Sequence, residues 1–161
     1  MVTTVSAYAT RGIVIDGENK KVTVSGKLAG SYQPGTCVYQ SGVDTWTAMA
    51  GTTASNYKRA GWVDNKFRTS STFGEVDIDA TYTNGTAINV EIIVGPLGDP
   101  DFVIAAFCKD PAAAKYFGEL LIGESSGKVE LRSSHTSKSV VAMVSKYGVA
   151  NGDTVARITP V

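Results

Sequence analysis

Histidine is almost missing from this chain. His135 is the only one, and just two cysteines, Cys37 and Cys108, accompany it among 161 residues. Metal centres are built from His, Cys, Asp and Glu at short, recurring spacings. Neither cysteine belongs to a CxxC or comparable pair, so no metal site and no cofactor is expected. Each thiol stands in an apolar stretch, Thr36-Cys37-Val38-Tyr39 and Ala106-Phe107-Cys108-Lys109, which suits a buried free thiol, while a disulfide would require oxidising surroundings. A Ser, Thr or Cys nucleophile needs a tunable base within hydrogen-bond reach. His135 instead sits in Ser133-Ser134-His135-Thr136-Ser137, the composition of a solvated loop, and no Gly-x-Ser-x-Gly elbow occurs. The expectation is a protein that is not an enzyme.

An excess of either charge is lacking as well. The chain carries 15 basic and 15 acidic residues, a net charge of +0, and charged residues make up only 19%. Ordinary soluble domains have about 25%. Nucleic-acid binders draw much of their affinity from neutralising phosphates with a basic face. The nearest approach here, Lys58, Arg59, Lys66 and Arg68, is interrupted by Asp64 and reads as a solvated loop, so no nucleic-acid partner is expected. No apolar run approaches the roughly 18 residues of a membrane helix. Met1–Thr10 has neither the basic start nor the long apolar stretch of a secretory signal, which leads us to expect cytoplasmic synthesis and no membrane partner.

What the chain does have is glycine, 17 residues of it, with Thr, Ser and Val recurring throughout. Alternating apolar and polar residues dominate, and this period of two is the signature of half-buried strands. Ile13–Ile15 leads through Asp16-Gly17-Glu18-Asn19 into Lys21–Ser25 and reads as a hairpin. Further strands are predicted at 36–40, 45–49, 59–64, 76–82, 87–94, 102–107, 128–132, 139–145 and 154–159, with 66–72 as a crossover loop. Turn chemistry precedes a strand at Pro34-Gly35, Asn84-Gly85 and Asn151-Gly152. One short α-helix is predicted near residues 110–118, with Asp110 as its cap and Pro111 at the first helical position. The fold class is therefore mainly β, a compact β-barrel or β-sandwich with that single helix. Residues 1–10 read as an N-terminal arm and 11–161 as one β domain.

Other apparent sites have structural explanations. Gly123-Glu124-Ser125-Ser126-Gly127-Lys128-Val129 has one residue too few for a phosphate loop and places Val129 where a Ser or Thr should hold magnesium, so it reads as a hairpin turn. Asp77 and Asp79, two apart on a predicted strand, mark a solvent face opposite Val76, Ile78 and Ala80. Asp99 and Asp101 flank Pro100 in a loop. Trp46, Trp62 and Tyr82 are the candidate subunit- or ligand-packing residues, because such rings bury about 150–250 Å² each.

Two stretches carry a resemblance. The first runs Val22-Thr23-Val24-Ser25-Gly26, then Pro34-Gly35-Thr36-Cys37-Val38-Tyr39, Trp46-Thr47-Ala48-Met49-Ala50 and Ala60-Gly61-Trp62-Val63-Asp64. The second runs Ser139-Val140-Val141-Ala142-Met143-Val144 and Asn151-Gly152-Asp153-Thr154-Val155-Ala156-Arg157-Ile158. In this order they resemble the capsid decoration (cement) proteins of tailed viruses. The resemblance implies a compact β domain, a homotrimer, seated on the exterior of the icosahedral head of the virion, with the major capsid protein as its partner. In that family an N-terminal arm commonly docks along the shell. Here the uncharged start, with Val2, Val5 and Tyr8 spaced three apart, would be the capsid-docking arm. No catalytic residue is implied. The competing reading is a carbohydrate-binding or adhesin-type β domain in which Trp46, Trp62 and Tyr82 form a sugar platform. An all-β hydrolase would need clustered carboxylates, and a tail or neck component shares the same pattern as a decoration protein.

Overall fold

The computed structural model describes residues 13–50, 59–68, 73–76, 80–83, 85–113, 116–132, 139–148 and 155–161, and the account below concerns these. In chain order the strands are β1 (Val14–Asp16), β2 (Val22–Leu28), β3 (Cys37–Gln40), β4 (Thr45–Ala48), β5 (Ala60–Arg68), β6 (Phe73–Glu75), β7 (Asn89–Gly95), β8 (Val103–Phe107), β9 (Leu120–Glu124), β10 (Lys128–Leu131), β11 (Val140–Val144) and β12 (Val155–Pro160). They form two six-stranded sheets, ordered β1-β8-β12-β11-β9-β10 and β3-β4-β2-β7-β5-β6. The fold is mainly β and sandwich-like.

Alternation decides which residues enter which core. On β5 and β7, Trp62 pairs with Ile93 and Val63 with Ile92. Successive side chains on a strand point to opposite faces. Trp62 and Ile93 accordingly join Cys37, Ile104, Leu121 and Ile158 in the core between the sheets. Val63 and Ile92 join Leu28, Val38, Trp46 and Val90 in a second cluster. This second cluster exists because β3 pairs with β5 as well as with β4, closing five strands of the second sheet into a ring. Closure removes open edges and creates an interior that side chains must fill. The first sheet draws in similarly, since Cys108 just beyond β8 bridges Val129 of β10. Backbone bonds from Phe107 N–H to Gly35 O (3.1 Å) and from Gly127 N–H to Met49 O (2.9 Å) tie the sheets together.

Close packing dictates two glycines here. A Cβ on Gly26 would lie 2.4 Å from Trp46 Cδ1, and one on Gly61 would lie 2.5 Å from Ile92 Cγ2. Only a residue without a side chain leaves room for the indole at the first and for Ile92 at the second.

Several local expectations are corrected. β1 and β2 do not form a hairpin. β1 pairs with β8 and β2 with β7, so the segments belong to different sheets. Gly17, at φ +81°, and the 3-10 turn Glu18–Lys20 redirect the chain between them. Residues 66–68 are not loop: β5 continues to Arg68, paired with β6, whose strand the sequence reading placed later at 76–82. Strand β9 was not expected.

The described residues of 110–118 form no α-helix. Pro111–Ala113 makes a single 3-10 turn in which Ala113 N–H donates to Asp110 O at 3.1 Å, and Gly118 at φ +86° then turns the chain. Helix nucleation is unfavourable unless propagation or a packed apolar face compensates it. Here Tyr116 and Phe117 point outward, 71% and 60% exposed.

Candidate functional site

Trp46, Trp62 and Tyr82 were the rings expected to meet a ligand or a neighbouring subunit. All three are buried within the chain, at 5%, 1% and 1% exposure. Tyr82 donates its hydroxyl to the Asp64 carbonyl at 2.9 Å and meets Phe67 edge-on, with ring centroids 6.2 Å apart. Burial raises its phenol well above the ordinary value, and the charges of Asp64, Glu91 and Glu75 add to this. None of the three rings offers a face to solvent, so a sugar platform built on them does not exist in this fold. Val2, Val5 and Tyr8 lie outside the described residues, as do His135, Asp77 and Asp79.

Asp99 and Asp101 are explained by pairing. Lys20 reaches them at 3.1 and 3.9 Å, and Lys146 bridges Asp101 and Asp16 at 3.1 and 3.3 Å. The Asp101 N–H, with Lys20, holds the Asp99 carboxyl below its ordinary value. Hydrogen bonds from Tyr147 and Lys146 do the same for Asp16. Among the described residues no group of His, Cys, Asp and Glu is arranged to hold a metal. The segment 123–128 is the turn between antiparallel β9 and β10.

Sequence reading missed Asp64 as anything but an interruption among lysines and arginines. Between Val63 and Phe67, β5 gains residues relative to β7, and this irregularity turns Asp64 into the protein. Such bulges re-aim side chains. The Asp64 side chain is 2% exposed and pairs with Lys21 at 3.0 Å, while the Asn65 N–H donates to it at 2.8 Å. Lys21 also bridges Glu18 at 2.9 Å, and Glu18 is within 3.5 Å of Lys66. Burial pushes the Asp64 carboxyl up, and Lys21 offsets only part of that. For Lys21, burial alone would lower the ammonium, but Asp64 and Glu18 outweigh it and leave it raised.

The pair lines a groove of about 850 Å³ whose rim carries Phe73, 79% exposed beneath the Arg68 guanidinium at 5.5 Å. Glu75 and Glu91 line the groove as well, and Ser25 donates to Glu91 at 2.9 Å. With Lys21 and the Asn65 N–H on it, the Asp64 carboxylate is itself engaged. The cluster holds the bulge in place.

A different segment projects apolar surface. Tyr116, Phe117 and Leu120 are 71%, 60% and 44% exposed within five residues. Gly118 N–H donates to Val144 O at 3.0 Å, Val144 N–H donates to Glu119 O at 2.9 Å, and Tyr116 N–H is held by the Glu119 carboxylate at 2.8 Å. The turn is thus pinned to β11 while its aromatic rings face outward. Neither a protein-family model nor any curated protein matches the chain.

Cys37 and Cys108 are free and buried, as their apolar neighbours implied. Burial raises the Cys37 thiol far above its usual range and pushes Cys108 up to about 11. The thiolate is the reactive form. In the folded protein at pH 8 both cysteines should resist a chromogenic disulfide reagent for hours, and both should react within seconds in guanidinium. Rapid labelling of the native protein would contradict their placement.

Proposed function

We propose that this chain is a capsid decoration protein of a tailed virus, a homotrimer bound through the major capsid protein to the exterior of the head, which it stabilises. The observation that carries the reading is the projecting Tyr116-Phe117-Leu120 surface, held on a turn hydrogen-bonded to β11. Exposed apolar residues that cluster mark contact surfaces, and aromatic rings are enriched at the centres of protein interfaces. The resemblance of 22–64 and 139–158 to that family supports the same reading, as does an interior filled by structural contacts. A trimer that engages several shell subunits gains avidity from modest individual contacts.

The test is co-sedimentation of the purified protein with undecorated heads of the virus that encodes it. Wild-type protein should saturate the heads. The double variant Tyr116→Ser/Phe117→Ser should lose at least about tenfold in apparent affinity, equivalent to ~1.4 kcal/mol. Its melting temperature should hardly move, because exposed substitutions usually change stability by less than about 0.5 kcal/mol. A wild-type chain that stays monomeric and ignores the heads would remove the proposal.

A further inference from the structure

A second recess opens where the ends of the two sheets meet. Its volume is about 710 Å³, inside the roughly 300–1,000 Å³ range of small-molecule sites. Three segments wall it: Ser31 and Tyr32 after β2, Phe107–Lys109 at the end of β8, and the turn from β9 into β10 with Ser126 and Lys128. Thr81 completes a wall rich in hydroxyls.

The lining has a consistent chemistry. Among the described residues that line it there are two lysines and no carboxylate. Lys109 is 3.6 Å from Glu130, whereas Lys128 forms no ion pair with any described residue. Among the described residues that cation is uncompensated. Hydroxyls each donate one hydrogen bond and accept others, so a cluster of them matches a ligand whose own groups do both. Phe107 supplies an apolar surface beside them.

Ser126 is held in this wall against its own preference. It adopts φ 61° and ψ 28°, the left-handed region that non-glycine residues rarely occupy. The neighbouring Gly127 is also left-handed, at φ 72°. A Cβ on Gly127 would lie 2.2 Å from Thr36 Cγ2 and 2.9 Å from Cys37 O, so the turn is pressed onto the opposite sheet. Strained residues cluster at ligand-binding sites, where the surrounding structure over-determines them.

We propose that this recess binds an acidic saccharide, its carboxylate paired with Lys128 and its hydroxyls exchanging hydrogen bonds with Ser31, Tyr32, Thr81 and Ser126. A saccharide carries several hydroxyls per ring, each able to donate and accept, whereas a peptide offers one N–H and one C=O per residue, so this hydroxyl wall matches the saccharide more densely. The inference does not depend on head binding, and it uses none of the buried rings.

The test is titration of the full ¹⁵N-labelled chain with digalacturonate. Maltose, inorganic phosphate and an acetylated tri-glutamate amide serve as the neutral, small-anion and peptide arms. Digalacturonate alone should give saturable shifts centred on residues 31–33 and 126–128. Lys128→Gln should weaken its binding at least tenfold while the rest of the spectrum is unchanged. Ser126→Gly should relieve the left-handed strain, hold or raise the melting temperature, and still weaken binding, a combination that a merely structural role would not give. An unsaturable response, an equal response to phosphate or tri-glutamate, or unaltered binding by Lys128→Gln would each overturn the proposal. Head co-sedimentation is a separate readout, so either idea can fail alone.

Discussion

Trp46→Ala should lower stability by about 3–5 kcal/mol, the usual range for removing a buried tryptophan. In a protein of this size each kcal/mol shifts the melting temperature by about 2–4 °C, so the midpoint should fall by roughly 6–20 °C. The indole fills the ring formed by β2, β3, β4, β5 and β7, and no other side chain can take its place without moving the strands. The prediction has a built-in control. Gly26→Ala alone should cost about 1–3 kcal/mol by overpacking, because its methyl group would meet Trp46 at 2.4 Å. In the Trp46→Ala background the same methyl enters vacated space and should be neutral or stabilising. Chemical denaturation of the four proteins measures this coupling. If the two effects simply add, the glycine and the tryptophan do not share one interior.

Lys21→Met should cost about 3–5 kcal/mol at neutral pH, because it leaves Asp64 charged and almost wholly buried without its counter-ion. Replacing both partners, as Lys21→Met/Asp64→Leu, should cost less than the single change, since no unpaired charge then remains. The penalty should also depend on pH in a definite direction. Burial already raises the Asp64 carboxyl above its ordinary 3.8, and loss of Lys21 removes the main opposing influence. The folded variant would then hold that proton to higher pH than the unfolded chain. Across that window the folded state binds more protons, so stability falls as pH rises. The deficit against wild type should be smallest below about pH 4 and larger at pH 7. Urea unfolding at the two pH values decides the matter. A constant deficit would mean that the lysine acts through packing of its aliphatic stem instead.

These predictions rest on features of very different legibility. Alternation marked most strands, and the runs at 87–94, 102–107 and 139–145 lie close to β7, β8 and β11, because period two is a local property that needs no knowledge of the partner. β9 was harder to read. Leu120-Leu121-Ile122 is a short continuous apolar run beside a predicted helix, and periodicity cannot separate the two states there. The helix prediction failed because capping residues and alanines favour nucleation only weakly, and the two aromatic side chains Tyr116 and Phe117 face outward instead of packing on the core. Asp64 was illegible for a similar reason: whether a carboxylate in a strand meets water or a lysine depends on a bulge in pairing with a strand some thirty residues away.

By itself the sequence determined that this is a β protein with buried thiols and no local catalytic motif, because composition, turn chemistry and alternation act over a few residues. Only the tertiary structure decided that β3 meets β5, that Trp46, Trp62 and Tyr82 fill interiors instead of presenting faces, and that Tyr116 and Phe117 are left outside. Those outcomes depend on long-range pairing and on how much space each closed interior contains. A ring has two identities in the sequence, core or contact surface, and only packing chooses between them.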